Sequence, residues 1–466
     1  MTFTTIYFAL FLTGFVVLFH VARRFPSRAR QLVVVANLAF YATWGITKVP
    51  LLLGSSLLAF VAARRIAAAS EPAIRRRWLA IGVSGCLALL VVFKYTNFAL
   101  SNAYAVLRAV GWSGTEHYAD LALPVGISFF TFVNVAYVVD VYRRSIAAQH
   151  ALFDCLAPLT FFPHLLSGPI VRMPQLAPQF ERPAGIQASS YRFGLFLLFL
   201  GLAKKALAGM LEPVAASAFA DPPSVLAAWT SVLAYAAQIY ADFCGYTDMA
   251  LGAALLIGIE LPHNFELPYL ATSPIDFWKR WHKTLSSWIH DYLFMPLARY
   301  SRRTYAALLI TWILVGVWHG PQWTFVAYGL YHGLAIIATR LISLRAPDAW
   351  HDRAARWPLA TVCRAITFFV VAVSFILFRS PDLGAAADLT KSLFVSDTAS
   401  VVRYPTCLTL ALVAVALVVP HAVDAAIWKR RDAVQRDLVF WPACVLAVAF
   451  ALIFGTNAGG FIYFKF

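Results

Sequence analysis

Long apolar stretches recur along the whole chain, and short polar or basic segments separate them. Most approach the ~20 residues that a helix needs to cross a hydrocarbon core. A backbone in lipid must satisfy its own hydrogen bonds, and the stretches lack the alternation of barrel strands. The pattern predicts an all-α polytopic transmembrane bundle of about 11–13 helices, some partial or re-entrant.

No internal repeat, low-complexity segment or separate soluble region interrupts this pattern. We therefore interpret residues 1–466 as a single membrane domain. Within it, residues 1–120 form N-terminal spans, 121–345 a catalytic core with the motifs, and 346–466 C-terminal spans and an aromatic tail. The lack of a repeat weakens a transporter interpretation, since many transporters contain inverted repeats.

The composition supports the membrane interpretation, with 61% hydrophobic and 13% charged residues. The net charge of +16 would suggest nucleic acid as the partner of a soluble protein. Here the basic residues cluster between apolar spans, as in the positive-inside pattern. They predict a multi-pass protein in a lipid bilayer, with an uncleaved first span, an outer N-terminus and no nucleic-acid partner. The six scattered cysteines indicate neither a disulfide framework nor a metal site.

An aromatic and basic segment covers residues 274–297, PIDFWKRWHKTLSSWIHDYLFMPL. The spacing of its tryptophans predicts one helix in the membrane interface, with the aromatic rings on one face. Its cations can extend toward phosphate groups, and they are Lys279, Arg280 and Lys283. His282 and His290 are either functional or polar interfacial residues.

A second segment is uncharged from Thr304 to Trp318 and then reads His319, Gly320, Pro321. About 15 helical residues rise roughly 22 Å, short of a core of about 30 Å, and the Gly-Pro pair ends the helix. The pattern predicts that His319 lies well inside the membrane beside unpaired carbonyl groups. An ionisable side chain there is a functional hypothesis, and the alternative is a neutral core histidine. His332 is a weaker candidate, with interhelical hydrogen bonding as its alternative.

A third segment, YAAQIYADFCGYTDMALG, contains Gln238, Asp242 and Asp248 in an apolar run. A carboxylate at a helix centre costs about 2.5–3.5 kcal/mol, so each must face a partner, a cavity or an interface. Asp248 either orients a histidine, binds a basic side chain or belongs to a buried structural pair.

Several standard sites are missing from the sequence, among them HExxH, GxSxG, the P-loop and GxGxxG. Histidine chemistry in a membrane cavity remains. Three classes of function are open on this basis, namely an enzyme, a proton or solute transporter, and a scaffold without catalysis.

Five segments carry a resemblance to a known family. They are LPVGISFFTF from residue 123, FFPHLLSGPIVR from 161, QIYADFCGYTDMALG from 238, NFELPYLATSPIDFWKRWHKTLSSWIHDYLFMPL from 264 and GVWHGPQWTF from 316. Together they resemble the bacterial branch of the membrane-bound O-acyltransferase family, and most of all its alginate-acetylating members.

The resemblance implies a central tunnel, with His319 inside it as a catalytic residue and His282 as a second one near the cytoplasmic mouth. Asp248, Trp281 and Trp318 are then predicted to line or support the tunnel. The family relation further implies a bacterial inner membrane, O-acetylation of an exopolysaccharide and a periplasmic acetyltransferase as partner. D-alanylation of a cell-envelope polymer is the alternative.

The donor implied by the resemblance is a cytoplasmic thioester such as acetyl-CoA, used as a substrate, with no bound cofactor and no metal. Lys279, Arg280 and Lys283 would attract its phosphates. The C-terminal sequence GGFIYFKF resembles the ending of family members, and Tyr463 in it is a possible acyl relay. Its alternative is an aromatic anchor at the interface.

Overall fold

The computed structural model describes residues 1–181, 188–220, 224–345, 358–395, 406–429, 437–455 and 462. Helices dominate this part of the chain, and it contains no β-strand. Six of its helices are long and apolar enough to cross a membrane, and four shorter helices are also apolar. The predicted all-α polytopic membrane fold is confirmed. The central tunnel stays a prediction.

Residue contacts divide the chain into two compact units. Unit 1 comprises Met1–Leu195 and Ala250–Pro262, and unit 2 comprises Phe196–Met249 and His263–Phe466. All of the candidate site residues that the structure describes belong to unit 2.

Eight helices lie entirely in unit 1 among the described residues: α1 (Ile6–Ala22), α2 (Pro26–Ala42), α3 (Val49–Ala68), α4 (Pro72–Ala109), α5 (Ile127–Tyr142), α6 (Leu152–Leu159), α7 (Phe162–Leu165) and α8 (Met173–Glu181). Phe162 is fully buried at the centre of aromatic packing with Phe11 and Phe40, at ring-centroid distances of 5.3 and 5.2 Å. The buried Asn37 amide accepts a hydrogen bond from the Phe162 amide and donates one to Thr160. These contacts fix α2 against the α6–α7 segment.

Two long helices contribute residues to both units, α9 (Ala188–Ala220) and α10 (Val225–Leu255). The remaining described helices belong to unit 2: α11 (Pro274–Arg280), α12 (Lys283–Ile289), α13 (Met295–Ser301), α14 (Thr304–His319), α15 (Trp323–Arg345), α16 (Leu359–Arg379), α17 (Leu383–Ser392), α18 (Cys407–Lys429) and α19 (Asp437–Phe454).

Glycines bring α14 and α15 into backbone contact. A Cβ atom at Gly316 would lie 2.9 Å from the amide nitrogen of Gly329, which leaves no room for a side chain. Small residues allow such close helix packing in membranes, where dispersion contacts replace the hydrophobic effect. Because Gly316 precedes His319 by about one turn, this contact fixes the end of α14 against α15.

The prediction of one interfacial helix over residues 274–297 is wrong. The segment forms α11, α12, one π-helical turn (His290–Phe294) and the start of α13. Trp281 is extended, and His282 adopts the left-handed conformation with φ 44°. The bend follows from tertiary hydrogen bonds, because the Lys283 amide donates to the carbonyl oxygen of Asn264 and the Glu266 amide to that of Arg280. The tryptophans consequently do not share one face.

Candidate active site

His319 is the last residue of α14, and its side chain is 6% exposed. The helix ends there because Gly320 takes an extended backbone, as the Gly-Pro pair predicts. Four aromatic side chains surround the imidazole, with ring-centroid distances of 4.8–6.4 Å, and they are Trp318, Phe325, Tyr328 and Phe378. The predicted broken helix is confirmed, and the depth of His319 in the bilayer stays a prediction.

His332 is a hydrogen-bonding link between three helices. Its Nδ1 accepts a hydrogen bond from the Trp278 indole N–H at 3.2 Å, and its Nε2 lies 3.0 Å from the Ser374 hydroxyl oxygen. Because an indole only donates, the proton of the neutral imidazole is on Nε2, and His332 donates to Ser374. The side chains belong to α11, α15 and α16, so this histidine fits the interhelical alternative.

Replacing His332 by phenylalanine is expected to lower the free energy of unfolding by about 1–3 kcal/mol, because the buried Trp278 N–H loses its acceptor. Ser374→Ala should cost less, since it leaves the Trp278–His332 bond in place. Unfolding of both variants in detergent micelles measures the difference. A loss of acyl transfer above 100-fold in a His332 variant of unchanged stability would instead assign this residue to the chemistry.

His282 is buried at the start of α12 and is held by a loop. Its Nδ1 lies 3.2 Å from the Asn264 side-chain oxygen, which also accepts a hydrogen bond from the Thr284 hydroxyl at 2.6 Å. Because that oxygen only accepts, His282 carries its proton on Nδ1 and its lone pair on Nε2. Burial lowers the pKa of His282 to about 3, so the ring is neutral near pH 7. A neutral imidazole with a defined tautomer can act as a base or position a donor.

Asn264→Ala is expected to lower the kcat of acyl transfer by about 10²-fold, because it removes the bond that sets the orientation and tautomer of His282. Thr284→Val is the matched control, since it removes a different hydrogen bond to the same oxygen and should change kcat little. Steady-state kinetics with both variants makes the comparison. An unchanged kcat in Asn264→Ala would remove His282 from the reaction.

One face of α16 borders the surroundings of both histidines. Phe378 contacts the His319 ring, and Phe375 lies three residues earlier on the helix. The Phe375 ring is 6.2 Å from that of Trp281, the buried neighbour of His282. His282 itself packs edge-to-face on Phe243 at 4.7 Å. Trp318 contacts His319 directly, whereas Trp281 contacts Phe243, the ring that packs on His282.

Asp248 belongs to a buried ionic cluster around Lys204. The ammonium group donates to Asp248 at 2.7 Å, to Asp424 at 2.5 Å and to the Cys244 sulfur at 3.2 Å. All three of its N–H groups are thus used. The Tyr240 hydroxyl donates to the second oxygen of Asp424 at 2.6 Å. Asp248 forms a buried ion pair with Lys204, which fits two of its alternatives, binding of a basic side chain and a buried structural pair.

A second buried ion pair joins Lys205 to Asp242. The other oxygen of Asp242 accepts a hydrogen bond from the backbone amide of Ile462 at 2.9 Å, and Ile462 is 5% exposed. This bond fixes Ile462 to α10 within unit 2. Tyr463, the possible acyl relay, lies outside the described residues.

The three predicted donor-attracting cations differ in their surroundings. Arg280 is paired with Asp276 at 2.8 Å, and Lys283 is paired with Glu266 at 2.6 Å. The hydrogen bond from Lys283 lowers the pKa of the Glu266 carboxyl. Lys279 and Lys283 line a cavity of about 530 Å³ between α11, α12, α14 and α15. The carboxylates reduce the attraction for phosphate that the sequence predicts.

Sequence reasoning missed several residues that position this site. Lys204 and Lys205 carried a usable signal, because two adjacent cations inside an apolar run match the carboxylates of α10. Asn264, Tyr328 and Phe378 carried none, since ordinary loop and core residues have the same appearance in a sequence.

Comparison with known proteins adds an independent finding. The model of the membrane-bound O-acyltransferase family matches residues 5–378. A probable alginate O-acetylase AlgI from Azotobacter vinelandii is 34% identical over 84% of this chain and 77% of its own length. A peptidoglycan O-acetyltransferase from Helicobacter pylori is 33% identical over 79% and 74%. A teichoic acid D-alanyltransferase from Streptococcus thermophilus is 29% identical over 48% and 57%.

Proposed function

The chain belongs to the membrane-bound O-acyltransferase family, and from that premise we propose that it moves an acetyl group from a cytoplasmic thioester to a hydroxyl acceptor across a bacterial inner membrane. The observation that carries the proposal is the burial of His319 at the end of a broken apolar helix, within an aromatic enclosure. The polymer that receives the acetyl group is an exopolysaccharide such as alginate. The names of the relatives from Azotobacter and Pseudomonas support this choice.

The reaction needs a base that acts on a hydroxyl group away from bulk water. A nitrogen of neutral His319 takes the proton of the acceptor hydroxyl, and the hydroxyl oxygen bonds to the carbonyl carbon of the thioester. The tetrahedral intermediate then collapses, the carbon–sulfur bond breaks, and the imidazolium returns the proton to the leaving thiolate. Ester and thiol are the products, with no net change in protons. Such a base contributes typically about 10² to 10⁴ in rate.

His282 acts on the donor side in this proposal, where it positions the thioester or serves as a second acid or base. Acetyl-CoA is the proposed donor, and Lys279 is the cation that attracts its phosphates. Lys279 has this role rather than Arg280 or Lys283, because the latter two are paired with carboxylates. Asp248, Trp281 and Trp318 support the passage between the two sides.

On the outer side, a periplasmic acetyltransferase works with the chain where the polymer is modified. Tyr463 is a proposed acyl relay there, and the bond between Asp242 and the Ile462 amide supports the idea that the tail is held near the site. Tyr463→Phe should then reduce polymer acetylation, and unchanged acetylation would remove the relay.

The proposal is tested with the purified full chain in detergent, given radiolabelled acetyl-CoA and a hydroxyl acceptor. Label should appear on the acceptor as an ester that mild base removes. A parallel reaction with a D-alanyl thioester tests the alternative suggested by the teichoic acid relative. Labelling from the D-alanyl donor alone would replace acetyl by D-alanyl in the proposal, and no turnover of either donor would contradict it.

A further inference from the structure

A polar cluster in unit 2 lies beside the aromatic surroundings of His319. We define the Arg379 cluster as Glu212, Phe219, Tyr235, Gln238 and Arg379. The Arg379 guanidinium donates to the Gln238 amide oxygen at 3.2 Å and lies 3.6 Å from a Glu212 oxygen. The Gln238 amide nitrogen in turn donates to Glu212. The three planar groups form a triangle with two hydrogen bonds and one ion pair, which joins Arg379 to Glu212.

Aromatic rings hold the guanidinium in place. Its central carbon lies 4.8 Å from the ring centroid of Tyr235 and 5.1 Å from that of Phe219. Stacking of arginine on aromatic faces is stronger when water is excluded, and the Arg379 side chain is only 17% exposed. The guanidinium therefore has one fixed orientation, unlike the charge of a surface arginine.

The cluster is connected to the site through α16. Arg379 follows Phe378, whose ring is 5.1 Å from that of His319. Phe375, one turn earlier, lies 5.9 Å from Tyr235. A group bound by the Arg379 cluster would thus be adjacent to the aromatic wall of His319.

The cluster lies at the C-terminal end of α16, and the charge pattern of the sequence predicts that this end faces outward. Before this helix the sequence contains Arg345, Arg353 and Arg356, and by the positive-inside pattern these residues predict that α16 starts on the cytoplasmic side. The 21 residues of α16 rise roughly 32 Å, which matches the thickness of a hydrocarbon core. Arg379 is the last of them, so the charge pattern predicts that it faces the side from which the proposed acceptor comes.

Two observations indicate that the cluster is built for a ligand as well as for packing. The Tyr235 hydroxyl is buried, and the described residues offer it no hydrogen-bond partner. A buried polar group without a partner destabilises the protein, so hydrogen bonding to an incoming polar group would be favourable. The Glu212 side chain is 37% exposed, which leaves the triangle accessible at one corner.

We propose that the Arg379 cluster binds saccharide hydroxyl groups and positions one of them for His319. Glu212 would repel an anionic group and Arg379 a cationic one, which favours a neutral group that both donates and accepts hydrogen bonds. Neighbouring hydroxyls of a sugar satisfy this, with one donating to Glu212 and the other accepting from Arg379 or Tyr235. The proposal rests on the proposed acyltransferase function and specifies its acceptor.

The test uses the purified full chain, labelled acetyl-CoA and two oligosaccharide probes, cellotetraose and a mannuronate tetrasaccharide. Glu212→Gln keeps the shape of the side chain and removes its charge. Arg379→Lys keeps the charge and removes the planar guanidinium group with its paired N–H donors. Each should raise the acceptor KM about tenfold or more through loss of a charge-assisted hydrogen bond.

Arg340→Lys is the matched control, because Arg340 also stacks on an aromatic ring, that of Tyr305 at 5.9 Å, in another part of unit 2. It should leave the acceptor KM unchanged. Unchanged KM values in the Glu212 and Arg379 variants together with a lower Tm would overturn the proposal and leave the cluster a packing device.

Transfer by the parent protein to a hydroxyl-bearing peptide, but to neither oligosaccharide, would also overturn the saccharide assignment. Donor hydrolysis would then still support an acyltransferase. A parent protein that turns over no donor at all would instead contradict the proposed function itself, so the two failures are distinguishable.

Discussion

Replacing His319 by alanine is expected to lower acyl transfer by about 10² to 10⁴-fold while the protein stays folded. The imidazole is the proposed base for the acceptor hydroxyl, and loss of a positioned base typically has an effect of this size. Its neighbours are aromatic, so an alanine leaves a cavity and no unpaired charge. Release of labelled ester from acetyl-CoA measures the rate, and size-exclusion elution in detergent verifies the fold.

His290→Ala serves as the control for this experiment. His290 is an exposed histidine whose Nδ1 lies 2.7 Å from Asp291, and its removal should leave the rate within a few-fold of the parent. A His319→Ala variant that transfers acetyl at the parent rate would contradict the assignment of His319 as the base. A variant whose KM for acetyl-CoA rises at unchanged kcat would make His319 a donor-binding residue.

Replacing Lys204 by methionine is expected to lower the free energy of unfolding by about 3–5 kcal/mol. The ammonium group is 4% exposed and bridges Asp248 and Asp424, so its removal leaves two buried carboxylates without their counter-charge. The prediction concerns stability, because Lys204 contacts neither His282 nor His319 among its hydrogen-bond partners. Reversible unfolding in mixed micelles measures the difference.

Lys391→Met is the matched control, since Lys391 is exposed on α17 and should change stability by about 0.5 kcal/mol or less. The triple variant K204M/D248N/D424N should recover part of the loss, because replacing a whole buried ionic group costs less than breaking it. A loss below about 1 kcal/mol in Lys204→Met would show that the cluster is hydrated and weak.

The end of α14 was predictable because it depends on local chemistry. An uncharged run that is too short to cross the membrane, followed by glycine and proline, specifies a broken helix whatever surrounds it. The structure ends the helix at His319. The enclosure of that histidine was not predictable, since Tyr328 and Phe378 come from α15 and α16 and only the fold brings them together.

The prediction of one helix over residues 274–297 was wrong because tertiary contacts, rather than local chemistry, determine the structure of this segment. Its pattern of tryptophans and cations fits one amphipathic helix, but a loop around Asn264 forms hydrogen bonds with it and turns the chain at His282. Tertiary bonds of this kind override helical periodicity, and no spacing within residues 274–297 signals them. The side-chain oxygen of Asn264 gives His282 its tautomer, so the departure from the pattern lies at a proposed functional residue.

The ionic cluster around Lys204 was only partly predictable from the sequence. The carboxylates of α10 had to have partners because charges are costly in lipid, and the structure provides Lys204 and Lys205. The choice of partner required the packing of α9 on α10. Asp424, which is about 180 residues further along the chain than Cys244, could not be assigned from the sequence.

The most direct measurement of acetyl transfer across the membrane uses the full chain in sealed proteoliposomes. Labelled acetyl-CoA is supplied on one side only, and an oligosaccharide acceptor is enclosed on the other. We expect labelled ester on the enclosed acceptor, acetyl-CoA that stays outside, and a loss of about 10² to 10⁴-fold with His319→Ala. Ester formation only when donor and acceptor share one side, or equal label with the His319 variant, would contradict it.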